Sequence, residues 1–70
     1  MIKMTTAQEI IKSTRSENKR LAAAKEQAKY IYDASDVRAA GMDDGWSTTA
    51  IYEFGDGSKI RVNGTGIHAE

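Results

Sequence analysis

Residues 46–63 show the clearest alternation of apolar and polar side chains, on either side of a Gly-Asp-Gly connection. Alternation of period two in segments rich in β-branched and aromatic residues predicts two strands, and the short glycine-containing connection predicts a hairpin. With a three-residue loop and left-handed backbone at Gly57, Tyr52 faces Ile60 and Glu53 faces Lys59. A slip of one residue would mix the two faces, so the pattern selects this register.

The register gives the hairpin one apolar face and one polar face. Ile51 is the only large apolar residue on the polar face, where we expect it to be exposed. The apolar face must pack on another element because an isolated two-stranded sheet is marginally stable. Its members are Trp46, Thr48, Ala50, Tyr52, Phe54, Ile60 and Val62.

Residues 5–33 have the composition of a long helix, without glycine or proline and rich in Ala, Lys, Glu and Gln. Thr6 and Glu9 have the spacing of a capping box at its start. Apolar residues recur on one broad face, although the turn before Arg20 contains no aliphatic residue. The helix is therefore either continuous or bent near Ser16, and we favour continuity.

A second, short helix is predicted over residues 35–41, with Asp33 or Ser35 as its N-cap and Gly41 as its left-handed end. A loop follows, and residues 64–70 are predicted to be a tail. The acidic residues around the short helix do not have the ligand spacing of an EF-hand loop, and we predict no metal site.

These elements predict one α+β domain over residues 1–70, in which the hairpin packs on the long helix as an α-β-β unit. A chain of 70 residues buries a thin core, which favours self-association through hairpin edges or helices. No apolar run is long enough for a membrane span, and the first residues lack the apolar block of a signal peptide. We expect a cytoplasmic protein.

Catalytic signatures are missing from the sequence. The chain has no cysteine, and His68 is its only histidine, in the predicted tail. Nucleophile, zinc-protease and phosphate-loop motifs do not occur, and Gly55 and Gly57 are explained by the hairpin turn. We predict a protein that is not an enzyme and needs no cofactor.

Charge is divided unevenly along this neutral chain. Residues 1–30 have seven basic and three acidic side chains, and residues 31–70 have three basic and seven acidic ones. The basic helix residues could contact phosphates, so a nucleic-acid-binding accessory protein is an alternative function. The candidates for that contact are Lys12, Arg15, Lys19 and Arg20.

Protein binding is the favoured function, because a small helix-and-hairpin domain offers helix, sheet and edge surfaces to a partner. We expect Tyr30 and Ile51 to be exposed anchors, together with Trp46 at the open end of the hairpin if packing does not bury it fully, since aromatic residues are typical of binding hot spots. An acidic rim would surround them, formed by Asp33, Asp36, Asp43 and Asp44. An oligomer that binds a small ligand at its interface is a third possibility.

The short cysteine-free chain, its charged helix and the hairpin segment YEFGDGS of residues 52–58 resemble the small accessory proteins of bacteriophages. In style they are similar to anti-CRISPR and other anti-defence inhibitors. The resemblance implies a host-cytoplasmic inhibitor that occupies the surface of a bacterial defence complex. It is a likeness of architecture and carries over no binding residue.

Overall fold

The computed structural model of the chain describes residues 3–39, 41 and 48–69. Within these residues the fold is α+β, with helices on a four-stranded antiparallel sheet of order β1-β2-β3-β4. The elements are α1 (Thr6–Ser13), α2 (Glu17–Gln27), β1 (Tyr30–Asp33), α3 (Ala34–Ala39), β2 (Ala50–Glu53), β3 (Lys59–Asn63) and β4 (Gly66–Ala69).

The central hairpin β2–β3 has the register predicted from its alternation. Tyr52 pairs with Ile60 and Glu53 with Lys59. Gly57 has a φ of 86°, and the Phe54 amide donates to the Ser58 carbonyl at 2.9 Å across the turn. Both the register and the left-handed glycine are therefore confirmed.

The prediction of one long helix over residues 5–33 is wrong in two places. The first is a break between α1 and α2, where Ser16 caps α2 by accepting from the Lys19 amide at 3.4 Å. Serine and threonine hydroxyls compete for backbone groups, which favours caps over a continuous helix in a segment without aliphatic residues. The start of α1 is also shifted, since Thr5 and Gln8 rather than Thr6 and Glu9 form its capping box.

The second error concerns residues 30–33, which form strand β1 and not the last helical turn. Tyr30 pairs with Glu53 and Tyr32 with Ile51 on β2. Aromatic and β-branched side chains suit a pleated surface, and pairing with an existing strand decides the conformation here.

The predicted tail, residues 64–70, is also wrong, because β4 adds a fourth strand. Asn63 makes the turn, its Oδ1 accepting from the Thr65 amide at 2.9 Å. Gly66 has a φ of 132°, and a Cβ at this position would lie 3.3 Å from Oε1 of Glu17. The sheet thus gains two strands over the predicted hairpin, one at each side.

The short helix α3 agrees with its prediction. Oδ1 of Asp33 accepts from the amides of Ser35 and Asp36 at 3.0 and 3.1 Å, as an N-cap. Gly41 has a φ of 73° and donates its amide to the Arg38 carbonyl at 3.1 Å.

Apolar residues are buried on both faces of the sheet. The main core lies between one face and helices α1 and α2, with Ala7, Ile10, Ala24, Tyr52, Phe54 and Ile60 as its buried members. Ile51 points to the opposite face and is only 2% exposed. Helix α3 contacts β1 and β2 and buries Val37. The expectation that Ile51 is exposed is therefore wrong.

Candidate protein-interaction surface

Strand β1 lies at one side of the sheet and pairs only with β2 among the strands that the structure describes. Two of its large side chains reach solvent: Tyr30 is 51% exposed and Ile31 is 50% exposed. We call residues 29–33 the β1 edge. It combines exposed aromatic and aliphatic surface with a backbone that has no strand on its outer side among the described residues.

The hydrogen-bond pattern of the sheet shows which residue of β1 points its backbone N–H and C=O groups away from β2. Because the amide of Phe54 donates to Ser58 on the β3 side, alternation directs the backbone groups of Glu53 and Ile51 toward β1. Their partners Tyr30 and Tyr32 therefore point their backbone groups inward. Ile31, between them, directs its N–H and C=O away from the sheet.

Aromatic and cationic groups are close together at the start of the edge. The rings of Tyr30 and Tyr32 have centroids 6.4 Å apart and are tilted by 35°. Nζ of Lys29 lies 5.5 Å from the centre of the Tyr30 ring, within the range of a cation–π contact. These contacts give the exposed Tyr30 ring intramolecular neighbours on two sides.

Acidic side chains follow at the other end of the edge. Asp33 and Asp36 are both exposed, and Oδ1 of Asp33 caps α3. Of the residues predicted to bind a partner, Tyr30, Asp33 and Asp36 thus lie in one continuous stretch. Ile51 is buried beneath it, and Asp43, Asp44 and Trp46 lie outside the described residues.

The basic residues proposed for phosphate contact do not share one helix. Lys12 is on α1, Lys19 is on α2, and Arg15 lies in the break between them, all three exposed. Arg20 donates from Nε to the Thr14 carbonyl at 2.7 Å, which uses part of its guanidinium to close the break. The continuous stripe expected from the sequence is therefore interrupted.

Asp56, at the tip of the β2–β3 turn, joins the sheet to the start of α1. Its Oδ2 accepts from the Thr6 amide at 2.8 Å and its Oδ1 from the Ser58 hydroxyl at 2.6 Å. These hydrogen bonds hold the pKa of the Asp56 carboxyl well below its usual range, and the bond from the Ser58 side chain has the largest effect. The carboxylate lines an open depression of about 400 Å³ beside Lys3, Met4 and Glu9. Since Asp56 accepts from the Thr6 amide and Ser58 from the Ala7 amide at the start of α1, this depression is a structural junction.

Catalytic and metal-binding arrangements are not apparent in the described part of the chain. Residues 3–39, 41 and 48–69 contain no group of three or more His, Asp or Glu side chains placed to hold a metal ion. His68 is on β4, where its Nε2 lies 3.0 Å from the Thr65 hydroxyl. No helix in these residues is long and apolar enough to cross a membrane.

Comparisons with protein-family models, with curated proteins and with solved structures gave no match to this chain.

Sequence reasoning missed the role of Ile31 and Tyr32, which it assigned to the buried face of a helix. The segment Lys-Tyr-Ile-Tyr-Asp does contain a usable signal, because three consecutive β-prone residues between charged ones are typical of a short strand. The surrounding helix-forming composition, without glycine or proline to mark a boundary, obscured it.

Proposed function

We propose that this chain is a small, non-enzymatic protein-binding module that acts through the β1 edge and the adjacent acidic residues. The observation that carries the proposal is the half-exposed pair Tyr30 and Ile31 on a strand with an open backbone side. When an extended segment of a partner pairs with an exposed edge strand, main-chain hydrogen bonds provide affinity and the exposed side chains provide selectivity.

Asp33 and Asp36 support this surface by adding negative charge beside the aromatic edge. Charged groups at the rim of an interface steer a partner and suppress wrong ones more than they add affinity. We expect the protein partner to present a basic rim around an apolar or aromatic patch.

The resemblance to small bacteriophage proteins extends the proposal to a biological role. The module would be phage-borne and would inhibit a bacterial defence complex by covering one of its surfaces, in the host cytoplasm. The small size, the α+β architecture and the exposed β1 edge support this role.

The test is capture from a bacterial lysate by the tagged chain, with mass spectrometry of bound proteins, nucleic acids and small molecules. Tyr30→Ala should lower capture of a specific protein by about tenfold or more, since hot-spot aromatics contribute about 2 kcal/mol. The matched control is Lys12→Ala, an exposed residue on α1 outside the β1 edge, which should leave capture unchanged. Circular dichroism would confirm that both variants fold.

The opposite pattern would favour the alternative, a nucleic-acid-binding accessory protein. The exposed Lys12, Arg15 and Lys19 are the observation behind it. Salt-sensitive retention of nucleic acid that is lost on charge reversal at these three residues, with no effect of Tyr30→Ala, would contradict the protein-binding proposal. A bound small molecule in place of a protein would instead support a ligand-binding oligomer.

A further inference from the structure

We propose that the β1 edge pairs with the β1 edge of a second copy, antiparallel about Ile31, so that the two sheets become one continuous sheet. The proposal rests on the proposed function that the β1 edge binds protein, and it names a second copy of the chain as a partner that competes with a foreign protein for this edge. Three features of residues 29–33 carry it: their charges, their backbone directions and their exposed side chains.

The charges of the edge are self-complementary. Lys29 and Asp33 lie at equal distances from Ile31 in the sequence, with opposite charge. Antiparallel pairing about Ile31 places Lys29 of each copy opposite Asp33 of the other, twice by symmetry. Opposite charges in cross-strand positions stabilise a pair of strands, and like charges destabilise it.

The directions of the backbone N–H and C=O groups are consistent with the same twofold axis at Ile31. Ile31 points its N–H and C=O away from its own sheet, so the two Ile31 residues would exchange both hydrogen bonds as a hydrogen-bonded pair. The amide of Lys29 already donates to the Glu53 carbonyl at 2.7 Å. Lys29 precedes β1 and this bond turns its amide toward β2, so the join contains the two main-chain hydrogen bonds of the Ile31 pair.

The side chains also match. Tyr30 of one copy lies opposite Tyr32 of the other in a non-hydrogen-bonded pair, where side chains approach most closely. Aromatic cross-strand pairs of this kind stabilise sheets. Pairing would also cover the Ile31 side chain, which is 50% exposed in the single chain.

Other registers lose these features. A shift of one position to either side of the axis places Lys29 or Asp33 opposite Ile31 and removes the pairing of opposite charges. Several registers are compatible with the backbone directions of the edge, and only the register centred on Ile31 also pairs Lys29 with Asp33. A foreign strand would need the same order of charges to fit equally well, which favours a second copy as the occupant.

The experiment is analytical ultracentrifugation of charge variants, alone and mixed, at tens of micromolar. The wild-type chain should sediment as a dimer. Lys29→Glu alone places glutamate opposite Asp33, and Asp33→Lys alone places lysine opposite Lys29. Each variant alone should dimerise about tenfold more weakly, because two attractions become two repulsions.

Mixing the two variants restores both pairs of opposite charge, so the mixture should regain dimer of wild-type affinity as a heterodimer. Asp33→Lys also removes the cap of α3, but a folding defect in one variant would not be repaired by mixing. As a control, Glu26→Lys reverses the charge of an exposed residue on α2, outside the β1 edge and its acidic neighbours, and should leave dimerisation unchanged.

A wild-type monomer at these concentrations would overturn the proposal, as would a dimer insensitive to either single variant. A monomeric wild-type chain would overturn the dimer without overturning protein binding by the β1 edge. Monomeric Lys29→Glu keeps Tyr30 and Ile31 accessible, so specific capture of a foreign protein by this variant would show that the edge binds protein without pairing to itself.

Discussion

At the scale of single residues, Asp56 connects the hairpin turn to the first helix. Its carboxylate accepts hydrogen bonds from Thr6 and Ser58 while remaining exposed. The sequence shows Asp56 only as a turn residue, because its contact with Thr6 joins positions fifty residues apart. Such a contact depends on how the sheet and helices pack.

The lowered pKa of Asp56 predicts a loss of stability in acid. An aspartate has a pKa of about 3.9 in an unfolded chain, so a lower pKa in the folded protein stabilises the fold above that pH. This contribution should disappear as the pH falls below about 4 toward the folded-state pKa. Asp56→Asn should be less stable than wild type at neutral pH, and the difference should shrink in acid.

Urea unfolding at a series of pH values measures this difference. Asp36→Asn is the matched control, since it removes one negative charge from another exposed aspartate. A difference between wild type and Asp56→Asn that stays constant from neutral to acid pH would contradict the assigned role of the carboxylate.

At the scale of elements, the sequence pattern predicted those features that short-range interactions determine. The β2–β3 register, the left-handed Gly57 and the Asp33 cap of α3 all follow from neighbouring residues. Strands β1 and β4 were missed because each is short and gains its stability by pairing with a neighbour already in the sheet. Helical propensity across residues 28–33 was overridden by that pairing.

The same reasoning explains the misassigned side chains of the sheet. Alternation placed Ile51 on the second face correctly, but it could not show that helix α3 covers this face. For the proposed interaction surface, Tyr30, Asp33 and Asp36 were predicted from residue type, whereas Ile31 became a candidate only once β1 was known to be an edge strand.

Paired substitutions of two isoleucines test the burial of the second face. Ile51→Ala should lower the free energy of unfolding by about 2–5 kcal/mol, the cost of truncating a buried isoleucine. Ile31→Ala, the matched control, should cost well under half as much in dilute, monomeric protein because its side chain is half exposed. Equal losses in urea unfolding would contradict the packing of α3 over Ile51.

At the scale of the whole molecule, the two outer strands differ. β4 lies against α1 and α2, whereas the outer side of β1 has no strand beside it among the described residues. Exposed edge strands can pair with strands of other molecules, and proteins commonly prevent this with charged residues or by covering the edge with another element. In the proposed dimer, Lys29 of each copy would attract Asp33 of the other, so that the charges at this edge would favour pairing with a second copy.

Amide hydrogen exchange at Ile31, measured against protein concentration, tests this central claim most directly. The Ile31 amide faces away from its own sheet, so it should exchange rapidly in dilute protein and become protected as dimers form. The amide of Tyr32, which points toward β2, provides an internal control and should be protected at all concentrations. Protection at Ile31 that rises together with the dimer fraction is the result we expect. Rapid exchange at Ile31 in concentrated protein, with Tyr32 protected, would contradict pairing through the β1 edge.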